Sequence, residues 1–359
     1  MRGPGSALRA GGAALGALAL LCAAGAPGSA SAAPAAAPGR LSATGLFADV
    51  ATHAIARGVL PYSPQYPLWT DGAAKRRWIR LPPGTAIDGS DPDTWRFPVG
   101  TRLWKEFSIG GRPVETRFME RGADGRWIYA TYLWAPDGRE ATLAPERGRR
   151  AFAESRPGVP YDVPGTADCR ACHQGHPSEV LGFTALQLSP DRDPLAPHAA
   201  PPEPGSIDLA GLAARRLLRG FPAQRIAHPP RIEAPSPRAR AALGYLHGNC
   251  ASCHNARGPL SDLGFSLEER LAEAGTSAAV LRTAVRRPSV FRPGGAPAVR
   301  LVPGDPAASL LLLRMGSRSP YLQMPPLGTH VVDEEAIALL SAFVREDLAD
   351  PHAIATLYP

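Results

Sequence analysis

Apolar and polar positions alternate through residues 76–81, 94–99, 101–109, 113–121 and 126–134. A period of two is that of a strand with one buried face, so each segment predicts a β-strand. Ala123-Asp124-Gly125, between the last two, predicts a hairpin turn. Short strands separated by turn signals predict an antiparallel β-sandwich or barrel over residues 46–160. Trp69, Trp78, Trp95, Trp104, Trp127 and Trp134, all the tryptophans of the chain, fall in this stretch. As cross-strand partners they build a β core; the competing expectation is an aromatic face that binds a ligand.

Beyond residue 160 the pattern turns helical, broken by Pro-rich loops. Ser206 predicts a cap for a helix carrying Leu209, Leu212, Ala213 and Leu217 on one face and stopped by Gly220. The prolines of residues 190–205 and 222–237 predict a loop and a linker. Ser236-Pro237 opens a helix in the favoured cap-then-proline order, with Leu243, Leu246, Cys250 and Cys253 on one side. Asp305-Pro306 opens a short helix through Leu310 to Arg314, ended by Gly316. Asp333, Glu334 and Glu335 start a last helix whose apolar side is Ile337, Leu340, Phe343 and Val344. The expected fold class is α+β and multidomain: the antiparallel β-sandwich or barrel, then a mainly α-helical region. The expected boundaries are a leader at 33–45, a β-rich domain at 46–160, a first motif-bearing segment at 161–235, a helical domain at 236–347 and a tail at 348–359.

Charge narrows the class of protein. The chain of 359 residues has 39 Lys and Arg against 32 Asp and Glu, a formal charge of +7, yet no basic run exceeds three residues. No basic stripe with interleaved aromatics is present, which argues against nucleic acid and for acidic protein partners. Only Lys75 and Lys105 are lysines. Arg2 and Arg9 precede an apolar stretch from Ala13 to Ala24, no acid occurs before Asp49, and Ala30-Ser31-Ala32 is a small-x-small site. This is the pattern of a secretory signal peptide cleaved near Ala32, and it places the mature chain in the periplasm. The apolar stretch is too short to span a bilayer, and no later one is longer. Leu21 stands where a lipoprotein signal wants a small residue, against a lipid anchor on Cys22.

The other four cysteines read Cys169-Arg170-Ala171-Cys172-His173 and Cys250-Ala251-Ser252-Cys253-His254. An exported chain ordinarily spends an even cysteine count on disulfides. Here each pair belongs to a C-x-x-C-H, the attachment signal of c-type haem. Thiols one helical turn apart add to the two vinyl groups of one porphyrin, and the adjacent His offers an imidazole to the iron. The expected cofactors are therefore two covalently attached haems c, with His173 and His254 as iron ligands.

Residues 236–347 resemble class I cytochrome c: a helix into Cys250-Ala251-Ser252-Cys253-His254, then Tyr321-Leu322-Gln323-Met324-Pro325-Pro326, then a terminal helix. The resemblance implies that His254 is the proximal and Met324 the distal ligand. A thioether stabilises ferrous iron and raises the potential, and the two prolines restrict the loop that carries it. Met315, at the end of an apolar helix, is the rival and reads better as core. The whole chain is similar to a family of exported dihaem c-type cytochromes with a Trp-rich β domain. The segments that carry this are Leu60-Pro61-Tyr62, Pro67-Leu68-Trp69-Thr70-Asp71, Leu81-Pro82-Pro83-Gly84-Thr85 and Phe97-Pro98-Val99-Gly100-Thr101. Leu181-Gly182-Phe183 and Val302-Pro303-Gly304-Asp305-Pro306 extend it. The resemblance implies architecture more than a reaction.

No Met lies between Met119 and Met315, and His176 follows His173 too closely to reach the opposite face of its porphyrin. His198, His228 and His247 stay open as distal ligands of the first haem, and Met119 would require the β domain to dock there. Arg286, Arg287, Arg292 and Arg300 are candidates for haem carboxylates or an acidic partner, or a solvated surface. The leading expectation is a periplasmic electron carrier serving a redox protein partner or a dehydrogenase. The alternative is a dihaem peroxidase-like or small-molecule oxidoreductase with an open first haem. Redox sensing by a ligand-binding β module is a third expectation, with no kinase or DNA-binding segment to receive the signal.

Overall fold

The computed structural model describes residues 36–350, together with Met1. The expected signal peptide, its cleavage site near Ala32, Cys22, residues 33–35 of the expected leader and the end of the tail lie outside the described residues; the rest of the leader is not loose, since Leu41 is buried.

A six-stranded antiparallel sheet organises the first half. Its strands are β1 (Leu60–Pro61), β2 (Ala74–Arg80), β3 (Arg102–Ile109), β4 (Arg112–Arg121), β5 (Trp127–Trp134) and β6 (Ala141–Leu143), neighbours in chain order. Gly110 and Gly111, both at positive φ (56° and 78°), make the two-residue turn between β3 and β4. The predicted turn at Ala123-Asp124-Gly125 joins β4 to β5, with Asp124 Oδ1 accepting from Arg126 N at 3.0 Å. Residues 94–99 do not form the predicted strand and contribute one bridge, Asp88 to Arg96. Pro98 lacks the N–H that a ladder needs.

Both sheet faces are buried. Trp78, Trp104, Phe118, Tyr132 and Trp134 pack under Leu41, Leu46, Phe47 and Val59. Trp78 and Trp104 are cross-strand partners, each 1% exposed. Trp95 and Trp127 are buried in the core on the other face, leaving only Trp69 part-buried. The tryptophans are thus core residues more than a ligand face. On the opposite side, Ile79, Leu103, Met119 and Tyr129 meet Val180, Phe183, Leu209 and Leu212.

This arrangement corrects the expected fold class. The sheet is open, with no closed barrel, and its partners on either side are loops and short helices rather than a second sheet of its size. Residues 36–350 lie in one compact unit, not several domains. Helices make up only 23% of the described residues, and the second half is not mainly α-helical. The physical reason is the distribution of proline, which removes backbone donors and restricts the preceding residue across the long loops.

The ribbon β7 (Arg149–Arg156) and β8 (Val159–Val163) leads into α1 (Thr166–His173). There follow α2 (Leu209–Ala214), α3 (Pro237–Cys250), α4 (Thr276–Ala284), α5 (Leu310–Met315) and α6 (Glu334–Ala342). The predicted caps hold at two helices: Ser236 Oγ accepts from Ala239 N at 3.0 Å, and Asp333 Oδ1 from Ala336 N at 3.1 Å. At α2 the cap is Asp208 rather than Ser206. Helix α3, helix α6 and the turn after α6 share a core of Ala242, Leu243, Leu246, Leu340, Phe343 and Val344. No helix among the described residues is long and apolar enough to cross a membrane.

A loop from the sheet clasps this helix pair. Trp69 N donates to Asn249 Oδ1 (2.7 Å), Asn249 Nδ2 to Pro67 O (3.2 Å), and Trp69 Nε1 to Val331 O (3.2 Å). Asp71 accepts from the backbone N–H groups of His330 and Val331, at 2.9 Å each. Tyr66 lies against Gly244 and Gly248 of α3 so closely that a Cβ at either position would overlap it. At Gly248 the obstacle includes the Tyr66 carbonyl oxygen, which cannot rotate away. Gly248→Ala is therefore expected to lower unfolding stability by about 1–3 kcal/mol, read as a fall in Tm. An unchanged Tm would show that the loop does not grip the helix.

Candidate functional site: two C-x-x-C-H segments in contact

Helix α1 lays the first motif on the sheet. Cys169 packs on the cluster that holds Ile79, Met119 and Tyr129. His173 Nδ1–H donates to the Glu179 carbonyl at 2.6 Å, so Nε2 carries the free lone pair. Such a bond to the outer nitrogen orients and strengthens an imidazole ligand. Tyr129 supports the same loop: its ring lies 5.3 Å from the His173 ring, and its hydroxyl donates to the Glu179 carboxylate at 2.6 Å. Burial pushes His173 down to about 4, which keeps the imidazole neutral.

The second motif closes α3. Cys250 packs on the α3–α6 core, and His254 N donates to Cys250 O at 2.8 Å. His254 is buried beside Phe265 (4.9 Å between rings), and its Nδ1 has no hydrogen-bond partner. Burial pushes its pKa to about 4, helped by Arg314 and Arg300. His254 and Cys250 border a mostly apolar cleft, partly open to solvent, whose lining also includes Met324 and Met315. Met324 is held by its backbone, N to Arg314 O at 3.0 Å, while Arg314 Nε donates to Leu322 O at 2.9 Å. Of the four arginines singled out in the sequence, Arg300 borders the cleft; it bonds Leu263 O, Gly264 O and Thr283 O at 2.6–2.7 Å. Arg286, Arg287 and Arg292 are exposed. Arg314, which no local signal marks, also lines the cleft.

The two motifs touch. The backbone around Cys172 meets that around Cys253, and none of the four cysteines is in a disulfide. Asn255 Nδ2 donates to Gly175 O (2.8 Å) and Ala251 O (2.9 Å). Gly175 itself abuts the Ser252 carbonyl, with no room for a Cβ. This contact across about 80 residues was invisible in the sequence.

The remaining histidines separate. His198 is held between Asp333 (2.8 Å) and Glu335 (3.3 Å) and stacks on Trp69, away from the first motif. His228 is exposed. His247 Nδ1 accepts from Glu269 N at 3.1 Å, and burial pushes it down to about 4. It borders a small cavity with His176, whose Nε2 meets Glu268 at 3.1 Å. Met119 sits in the core that Cys169 joins, so the β sheet does dock on the first motif.

The donor set at each site is the one that a covalently attached porphyrin asks for. Each presents two thiols and a neutral imidazole, and the second adds the orphaned His254 nitrogen and an apolar cleft. Among the described residues no three His, Cys, Asp or Glu side chains gather to hold a metal ion directly. Haem iron asks only one or two donors of a protein. No family model, curated protein or solved structure matches this chain.

Proposed function

We propose that this chain is an exported dihaem c-type cytochrome, an electron carrier working in the periplasm between a redox protein or dehydrogenase and its two covalently bound haems. One observation supports it above others: His254 and Met324 border the same apolar cleft, beside Cys250, at the end of a C-x-x-C-H helix. When bound, haem c supplies a one-electron iron couple. Cys169 and Cys172 would hold the first haem, and Cys250 and Cys253 the second. His173 and His254 would offer neutral imidazoles, and Met324 a thioether that favours the reduced state. Leu263, Phe265, Leu267 and Leu311 limit water at the second site. The contact of the Gly175 and Asn255 segments brings the two motifs together, which suits transfer between two centres.

The test is the haem-to-protein ratio and redox titration of the mature protein made with a c-type maturation system. Two covalent haems, each with a reversible one-electron couple, are expected. A chain without covalent haem overturns the proposal. Two haems of which one is high-spin and binds peroxide would move the assignment to the peroxidase-like oxidoreductase.

A further inference from the structure

The side of the sheet that carries α1 holds an unusual row. Register places Arg77, Lys105, Arg117 and Thr131 side by side across β2 to β5, with Lys75, Phe107, Glu115 and Leu133 in the adjacent row. Strands lie about 4.8 Å apart, so the first three basic side chains span roughly 10 Å. Arg77 is buried; Lys75, Lys105 and Arg117 are part-buried. Arg117 is paired, bonding Glu115 at 2.7 and 3.2 Å. Arg77, Lys75 and Lys105 make no ion pair or side-chain hydrogen bond among the described residues; Lys105 Nζ only overlies the Phe107 ring at 4.8 Å. The nearby acids are engaged elsewhere: Glu115 with Arg117 and Tyr161, Asp71 with two backbone N–H groups, Asp333 with His198 and Tyr245.

Like charges directly opposite each other on neighbouring strands are destabilising, and buried charges without partners more so. Arg77 and Lys105 are such an opposed pair. Burial and the like charges beside them lower both lysines, Lys75 to about 7. These are the only lysines of the chain, and both stand on this face. An anion bound there would relieve this repulsion. The cluster adjoins α1: Cys169 packs on the cluster that holds Ile79, Leu103 and Met119, which form the row next to Arg77, Lys105 and Arg117. A porphyrin tied by its vinyl edge to Cys169 and Cys172 presents two carboxylates on its opposite edge.

We propose that Lys75, Arg77 and Lys105, flanked by Arg117, form the seat for the carboxylate edge of the haem attached at Cys169 and Cys172. The inference rests on the haem reading above and adds to it the residues that bind and tune the first haem. With all four cations protonated, the excess over Glu115 is three positive charges, and two carboxylates would bring it down to one.

The test uses Lys105→Met and Arg77→Met in the haem-loaded chain, titrated by optical redox potentiometry with the second haem as internal reference. Both haems stay attached, the midpoint of the first haem falls, and that of the second is unmoved. The same substitutions in a Cys169→Ser/Cys172→Ser background raise Tm, because there they remove uncompensated charge. An unshifted first midpoint overturns the seat, as does a fall in Tm in both backgrounds. Loss of the low-spin signal of the first haem in Lys105→Met but not in Arg77→Met also overturns it, and assigns Lys105 to the iron. A chain carrying no covalent haem fails at the earlier step, separately visible in the haem-to-protein ratio.

Discussion

Replacement of Met324 by Ala is expected to abolish the near-infrared sulfur-to-iron band of the second haem and to lower its midpoint potential. The drop is on the order of tenths of a volt, a fraction of the ≈ 0.8 V over which axial ligands set haem potentials. A thioether stabilises ferrous iron; water or a substitute nitrogen donor does so less. Met315 is the control, because it borders the same cleft. It is also buried in the α3–α6 core, so Met315→Ala should leave the band intact while costing about 2–5 kcal/mol of stability. The opposite pattern, with the band surviving Met324→Ala and lost in Met315→Ala, would exchange the two roles.

The second large effect is expected from Cys169→Ser/Cys172→Ser. Haem content should fall from two per chain to one, with the Met324-linked band retained. Stability should fall as well, by several kcal/mol, the scale on which a buried charge loses its partner. Folded domains hold only about 5–15 kcal/mol in total. The variant is therefore expected to melt far below the parent or to be recovered poorly. A Tm equal to that of the parent would show that the row of Arg77, Lys105 and Arg117 is balanced without the first haem.

The legibility of the chain follows the range of the interactions. Strand periodicity at 101–109, 113–121 and 126–134 became β3, β4 and β5, since alternation is written by each residue's own face. Caps at Ser236 and Asp333 were readable because a cap acts within three residues. The strand expected at 94–99 failed where Pro98 denies a ladder donor. The closed or two-sheet architecture failed for another reason. Alternation tells that a face is buried but not what buries it, and here the coverings are the 41–59 segment and the loops after α1.

What this sequence determined by itself is the local chemistry: two C-x-x-C-H segments, each with thiols one helical turn apart and a neighbouring imidazole, and a Met-Pro-Pro loop after them. Thiol spacing and loop stiffness depend on a few consecutive residues. Only the tertiary structure decided that the two motif segments meet at Gly175 and Asn255, that Met315 shares the cleft with Met324, and that Lys75, Arg77 and Lys105 converge beside the first motif. Those juxtapositions join residues tens of positions apart. They arise from strand register and from the packing of α1 against the sheet, and neither leaves a mark on any one stretch of chain.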